Sequence, residues 1–162
     1  MKQENRISRR EFIGRFAAST AAVTIVPAHV RGRNAPNNKL NIAAIGSGGR
    51  ARANLRGTSS ENIVALCDVD ERRAAQTFKA HPRAKKYKDF RVMLDEMDKS
   101  IDAVLVSTPD HTHAAAVMRA IRMGKHVYCE KPLAHSIHEV RQITEAARRH
   151  KVQTQMGNQG HS

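Results

Sequence analysis

Tryptophan is absent from the 162 residues, aromatic residues make up 4%, and there are only two cysteines and five prolines. Two cysteines are too few for a disulfide-stapled mini-protein. An apolar content of 40%, arranged in short and regularly spaced runs, excludes a collagen-like or disordered chain. No run reaches the roughly 18 consecutive apolar residues of a membrane span. The longest uncharged stretch is Phe16 to Val30, so no permanent membrane span is expected. What is abundant is positive charge: 28 Lys and Arg against 15 Asp and Glu, a net +13. These charges are scattered over many short segments, without interleaved aromatics and without a recognisable nucleic-acid module. They read as solvated helix faces, and no nucleic-acid partner is expected.

The N-terminus differs in kind from the rest. Ser8-Arg9-Arg10-Glu11-Phe12-Ile13 is followed by the uncharged stretch and by small residues around Ala28. The order resembles a twin-arginine signal peptide over residues 1–28, which implies the twin-arginine export machinery as a partner and a periplasmic destination. The alternative is a basic amphipathic helix. Residues 29–38 are rich in turn formers, lack periodicity and read as a linker.

From residue 39 onward, short apolar runs alternate with helical patterns. Leu40–Ile45, Ile63–Cys67, Asp102–Val106, His126–Cys129 and Val152–Met156 are strand candidates, short and rich in β-branched residues. Between them, Asp70 is placed to cap a helix with Ala74, Ala75 and Phe78 inward, and Ala114, Val117, Met118 and Ile121 form a stripe closed by Gly124. Ser136-Ile137-His138-Glu139 is a capping box for a helix burying Val140, Ile143 and Ala147. Strand alternating with helix predicts an α/β fold with a doubly wound parallel sheet. In such a sheet, ligands bind beyond the carboxyl ends of the strands.

Four segments sit at those ends. Gly46-Ser47-Gly48-Gly49-Arg50-Ala51 follows the first strand as G-x-G-x-x-A. Gly46 suits a tight turn, Gly48 an approach of backbone amides to a pyrophosphate, and Ala51 a close helix; the helix N-terminus favours the anion. Asp68 closes the second strand, where a carboxylate can accept both ribose hydroxyls and repel a 2′-phosphate. NAD is therefore expected, with NADP possible because Arg50, Arg72 and Arg73 lie near; the alternative for Asp68 is a helix cap. Ser107-Thr108-Pro109-Asp110-His111-Thr112-His113 leaves the third strand and can shape the floor under the nicotinamide. Its two histidines lack an acidic or cysteine partner at ligand spacing, so capping and hydrogen bonding are expected and no metal. Cys67 and Cys129 read as small buried fillers, not nucleophiles. Glu130-Lys131-Pro132 ends the next strand. By spacing alone Lys131 is a surface lysine beside a turn; at a nicotinamide it would hydrogen-bond a reacting hydroxyl and stabilise a developing alkoxide.

Taken as a set, the glycine loop, Asp68, Thr108-Pro109-Asp110-His111-Thr112-His113 and Glu130-Lys131-Pro132 resemble the glucose-fructose oxidoreductase, inositol dehydrogenase and rhizopine-catabolism family, known as Gfo/Idh/MocA. The resemblance covers Asn41 to Ser162. It implies a Rossmann domain for NAD(P) followed by a second α/β domain that supplies the substrate pocket and often mediates homo-oligomerisation. It also implies a sugar or polyol substrate, with Lys131 as catalytic residue. Cofactor contacts would come from Gly46, Ser47, Gly48, Gly49, Arg50 and Asp68 on one side, and from Ser107, Thr108, Pro109, His113, Glu130 and Lys131 on the other. The family's downstream histidine has no counterpart before Ser162, so the chain reads as the cofactor-binding part of a longer protein. Related exported glycosidases that use NAD transiently carry an aromatic residue after the Thr-Pro pair and lack the lysine. Asp110 and Lys131 favour the dehydrogenase. A third reading is a non-catalytic dinucleotide-binding module. Export implies a tightly held cofactor.

Overall fold

The computed structural model describes residues 39–159; the export segment and the linker expected at residues 1–38 lie outside them. In chain order the elements are β1 (Asn41–Ile45), α1 (Ala51–Gly57), β2 (Asn62–Cys67), α2 (Glu71–Ala80), β3 (Lys85–Tyr87) and α3 (Phe90–Glu96). A short 3-10 turn (Asp98–Ser100) leads to β4 (Ala103–Val106), α4 (Asp110–Arg122), β5 (His126–Glu130), α5 (Ile137–His150) and β6 (Thr154–Gly157). The six strands are parallel and lie in the order β3-β2-β1-β4-β5-β6. Strand order reverses between β1 and β4, which opens a crevice at their carboxyl ends. The doubly wound parallel fold expected from the alternation is present. Among the described residues, no helix is long and apolar enough to cross a membrane.

Both faces of the sheet carry apolar residues because its central strands, β1, β2, β4 and β5, are covered twice, while the edge strands β3 and β6 are largely exposed. On one face Ile45, Val104, Val106 and Val127 pack with Met93, Leu94, Val117, Ile121 and Ile143 from α3, α4 and α5. On the other, Ile42, Leu66 and Leu105 meet Leu55 of α1 and the half-buried Phe78 of α2. The expected caps are in place: the Asp70 carboxylate accepts from the amides of Arg72 and Arg73, and Ser136 with Glu139 closes a reciprocal capping box. Gly124 follows α4 at φ +73°.

Three expectations need correction. Ala75 is exposed, and Thr77 takes its place in the interior at 3% exposure. A buried threonine is tolerated there because its hydroxyl donates to the Ser47 carbonyl at 2.6 Å. The last strand starts at Thr154, not Val152, because Lys151 adopts a left-handed conformation (φ 55°) and the Val152 amide still donates to Ala147 of α5. Finally, β3 and α3 had no counterpart among the expected elements. β3 is three residues long, Lys-Lys-Tyr, and lies at the sheet edge, where lysines guard against further pairing.

Candidate functional site

The site begins where β1 ends. Gly46 turns the chain at φ +79°, and a Cβ there would stand 2.8 Å from the Ser107 carbonyl carbon and oxygen at the end of β4. Only glycine meets both demands. The Gly46 amide donates to the Cys67 carbonyl at 2.9 Å, so the turn is fastened to β2. Ser47 is fully buried: its hydroxyl donates to the same carbonyl at 3.1 Å and its amide to Asp68 Oδ2 at 2.8 Å. The Gly48 amide donates to that oxygen too, at 3.0 Å. A Cβ on Gly48 would lie 3.1 Å from the Arg73 carbonyl of α2. The small residue at 48 is thus demanded by the approach of α2, and its own amide is taken by Asp68. The amides of Gly49 and Arg50 have no partner among the described residues and precede a helix without a side-chain N-cap, an arrangement that suits an anion.

Asp68 is not a helix cap; that role belongs to Asp70. Its Oδ2 holds the two loop amides, and its Oδ1 accepts from the Asp70 amide at 2.9 Å. Each carboxylate oxygen offers about two lone-pair directions, so Oδ1 retains acceptor capacity. Asp68 therefore shapes the loop and borders a cavity of about 750 Å³. Gly46, Gly48, Gly49 and Arg50 line this cavity on one side, Ser107, Thr108 and Pro109 on another. Arg73 and His111 line it as well, and so do Val69, Lys88 and Phe90, which sequence reasoning missed as site residues. Val69 had a legible signal, an apolar residue between two aspartates; it is 86% exposed. Phe90 and Lys88 had none, because β3 and α3 bring them in.

Cys67 lines the cavity floor, but burial, with the nearby Asp68 and Asp89 charges adding to it, pushes its thiol up to about 12. Burial, then Glu130, does the same at Cys129. Both behave as fillers, since the thiolate is the nucleophile. Among the described residues, no group of three or more His, Cys, Asp or Glu is placed to hold a metal ion.

The remaining expected contacts act at one remove. His113 is 1% exposed, and its ring nitrogens lie 2.7 Å from the Thr108 carbonyl oxygen and 2.7 Å from the Pro132 carbonyl oxygen. It joins two loops and presents no surface to a ligand, a correction to its expected role as a cofactor contact. Glu130 is 6% exposed and likewise lies outside the cavity lining. Its Oε1 accepts from Asn54 Nδ2 at 2.8 Å, Gln159 Nε2 at 2.8 Å and Arg50 Nε at 3.3 Å. Burial pushes its carboxyl up, and the bonds from Asn54, Gln159 and Arg50 more than offset that, leaving it below the usual glutamate value. Lys131 is exposed on the loop after β5, beyond the cavity lining.

A strand, a glycine turn leading into a helix, and a carboxylate at the end of the next strand define a Rossmann dinucleotide-binding domain. Residues 40–158 match the family described as "Oxidoreductase family, NAD-binding Rossmann fold", GFO_IDH_MocA, and the chain belongs to it. It is 33% identical over 114 residues to inositol 2-dehydrogenase 2 of Saccharopolyspora erythraea, covering 68% of this chain and 33% of that protein. Among solved structures, an NAD-binding oxidoreductase from Klebsiella pneumoniae is 34% identical, with a TM-score of 0.64 over 73% of this chain and 34% of that one. GenD2 from gentamicin A biosynthesis, solved in complex with NAD, is 26% identical, with a TM-score of 0.65 over 74% of this chain and 34% of its own. The chain thus spans about a third of the length of the curated relatives it matches.

Proposed function

We propose that this chain is the NAD-binding part of an exported oxidoreductase that removes a hydride from a hydroxyl-bearing carbon of a sugar or polyol. The observation that carries the reading is the pair of amides at Gly49 and Arg50, without a partner among the described residues, in the wall of a cavity that Asp68 borders. Those amides would receive the diphosphate, and the acceptor position left on Asp68 Oδ1 an adenosine-ribose hydroxyl. A carboxylate there opposes a 2′-phosphate, which favours NAD over NADP. Bound nicotinamide supplies the hydride acceptor. Lys131, at the end of β5, would hold the substrate hydroxyl, whose proton passes to a base outside this chain.

Titration calorimetry tests the first half. NAD is expected to release heat with micromolar affinity, and NADP to bind at least about tenfold more weakly. Absence of heat with either, with no dinucleotide extracted from the purified protein, would overturn the reading. The catalytic half needs a protein carrying the further length of the relatives. There, Lys131→Ala is expected to lower kcat by about 10²–10⁴; unchanged turnover would remove Lys131 from the chemistry.

Export rests on the Ser8-Arg9-Arg10-Glu11-Phe12-Ile13 segment. A periplasm offers no dependable supply of soluble nicotinamide coenzyme, so the cofactor would be held tightly and recycled in place. Periplasmic protein lacking bound dinucleotide would count against this.

A further inference from the structure

We propose that Glu130 is the positioning residue of the dinucleotide site, a buried carboxylate that fixes α1 against the strand ends and makes its placement depend on the turn after β6. The effect on cofactor affinity rests on the function proposed above; the mechanical coupling does not.

α1 has seven residues, and its N-cap Arg50 makes no side-chain capping bond. A helix this short is marginal on its own, so tertiary contacts decide where it sits. Ala51 and Leu55 anchor its inner face. Its polar edge is anchored by Asn54, which donates to Glu130 Oε1 at 2.8 Å and to Ser107 Oγ at 3.1 Å. Arg50, at the mouth of the glycine loop, is tied to the same carboxylate oxygen through Nε. The β6 side is held as tightly: Gln159 Nε2 donates to Glu130 Oε1 and to the Tyr128 hydroxyl, both at 2.8 Å.

One carboxylate oxygen thus joins the glycine loop, α1 and the segment beyond β6. The two bonds at 2.8 Å satisfy its two lone pairs; Arg50 and the Tyr128 hydroxyl, at 3.5 Å, complete the cluster at longer range. A buried carboxylate without such partners would be costly, so the cluster persists as a unit. Gly157 supplies an independent sign of tight seating. A Cβ there would lie 2.5 Å from the Tyr128 hydroxyl oxygen and 2.9 Å from Gln159 Nε2. The chain leaving β6 is pressed against the groups that hold α1.

The test is hydrogen exchange on the unliganded protein, with Glu130→Ala, Gln159→Ala and the double variant; alanine at 130 removes the accepting oxygen, which glutamine would keep. Exchange at the amides of Ala51–Gly57 is expected to quicken about tenfold in Glu130→Ala and about threefold in Gln159→Ala, while α5 is unchanged. The double variant is expected to exchange no faster than Glu130→Ala, because both changes cut one network. The resonance of the Asn54 side-chain amide is expected to move upfield in Glu130→Ala, which takes away its acceptor. Unchanged α1 exchange in folded Glu130→Ala, or strictly additive effects, would overturn the proposal. If Glu130→Ala does not fold, the exposed Gln159→Ala decides alone: faster α1 exchange supports the coupling and unchanged exchange refutes it. NAD affinity, measured alongside, is expected to fall about tenfold in Glu130→Ala. Wild-type protein that binds no dinucleotide while α1 loosens in the variants would defeat the functional reading and leave the coupling standing.

Discussion

Gly46→Ala is expected to destabilise the domain by about 2–5 kcal/mol. A left-handed backbone costs a non-glycine residue about 1–2 kcal/mol, and pressing a methyl group into packed surroundings adds about 1–3. The second contribution is hard to avoid here. The obstacle lies 2.8 Å away and is the Ser107 backbone, held in the sheet by its amide on the Ile45 carbonyl at 2.8 Å. A domain of this size has about 5–15 kcal/mol in all, so the loss should appear in urea unfolding as a large fall in midpoint. The same substitution at Gly57, where a Cβ meets nothing within 4 Å, is the control. Equal midpoints for the two variants would show that the turn is not constrained as described.

Asp68→Ala is expected to weaken NAD binding by about 10–100-fold, and to lower the preference for NAD over NADP by at least about tenfold. One hydrogen bond from a ribose hydroxyl to the acceptor position left on Oδ1, at about 1.5–3 kcal/mol for a charged acceptor, gives the first figure at 1.4 kcal/mol per decade. Removal of a negative charge beside the 2′ position gives the second. The substitution also strips an acceptor from the amides of Ser47, Gly48 and Asp70, so loop order will suffer. Asp68→Asn keeps the shape and one oxygen, and should change selectivity with less damage to the loop. An unchanged ratio of NAD to NADP affinity in both variants would take Asp68 out of ribose recognition.

Much of the fold could be read from the residues because each layer repeats itself in the sequence. Parallel strands buried on both faces read as short continuous apolar runs, and five of the six were found within two residues of their observed bounds. The missing one, β3, is too short and too polar to produce that signal: its two lysines are exposed, and pairing with β2 alone makes it a strand. The glycine turn was legible for a related reason. A backbone conformation that side chains disfavour restricts composition, and Gly46 at φ +79° carries that restriction.

The site was legible in its residues and less so in their roles. Gly46, Gly48, Gly49, Arg50, Asp68, Ser107, Thr108 and Pro109 line one cavity. Ser47, His113 and Glu130 belong to its support, and spacing along the chain does not distinguish a side chain that faces a ligand from one that faces a neighbouring loop. His113 shows the difference: its ring bridges carbonyls at Thr108 and Pro132, residues on two separate strand exits.

Local chemistry in the chain therefore settles which segments become strands, where the tight turn falls, and that an acidic residue stands near it, since periodicity and glycine usage act over a few residues. Packing alone decides that Glu130 gathers Arg50, Asn54 and Gln159 on one oxygen, and that Arg73 presses on Gly48. Those contacts join positions 25 to 80 residues apart along the chain, from Gly48–Arg73 to Arg50–Glu130, and exist only once the sheet has ordered its strands with β4 beside β1.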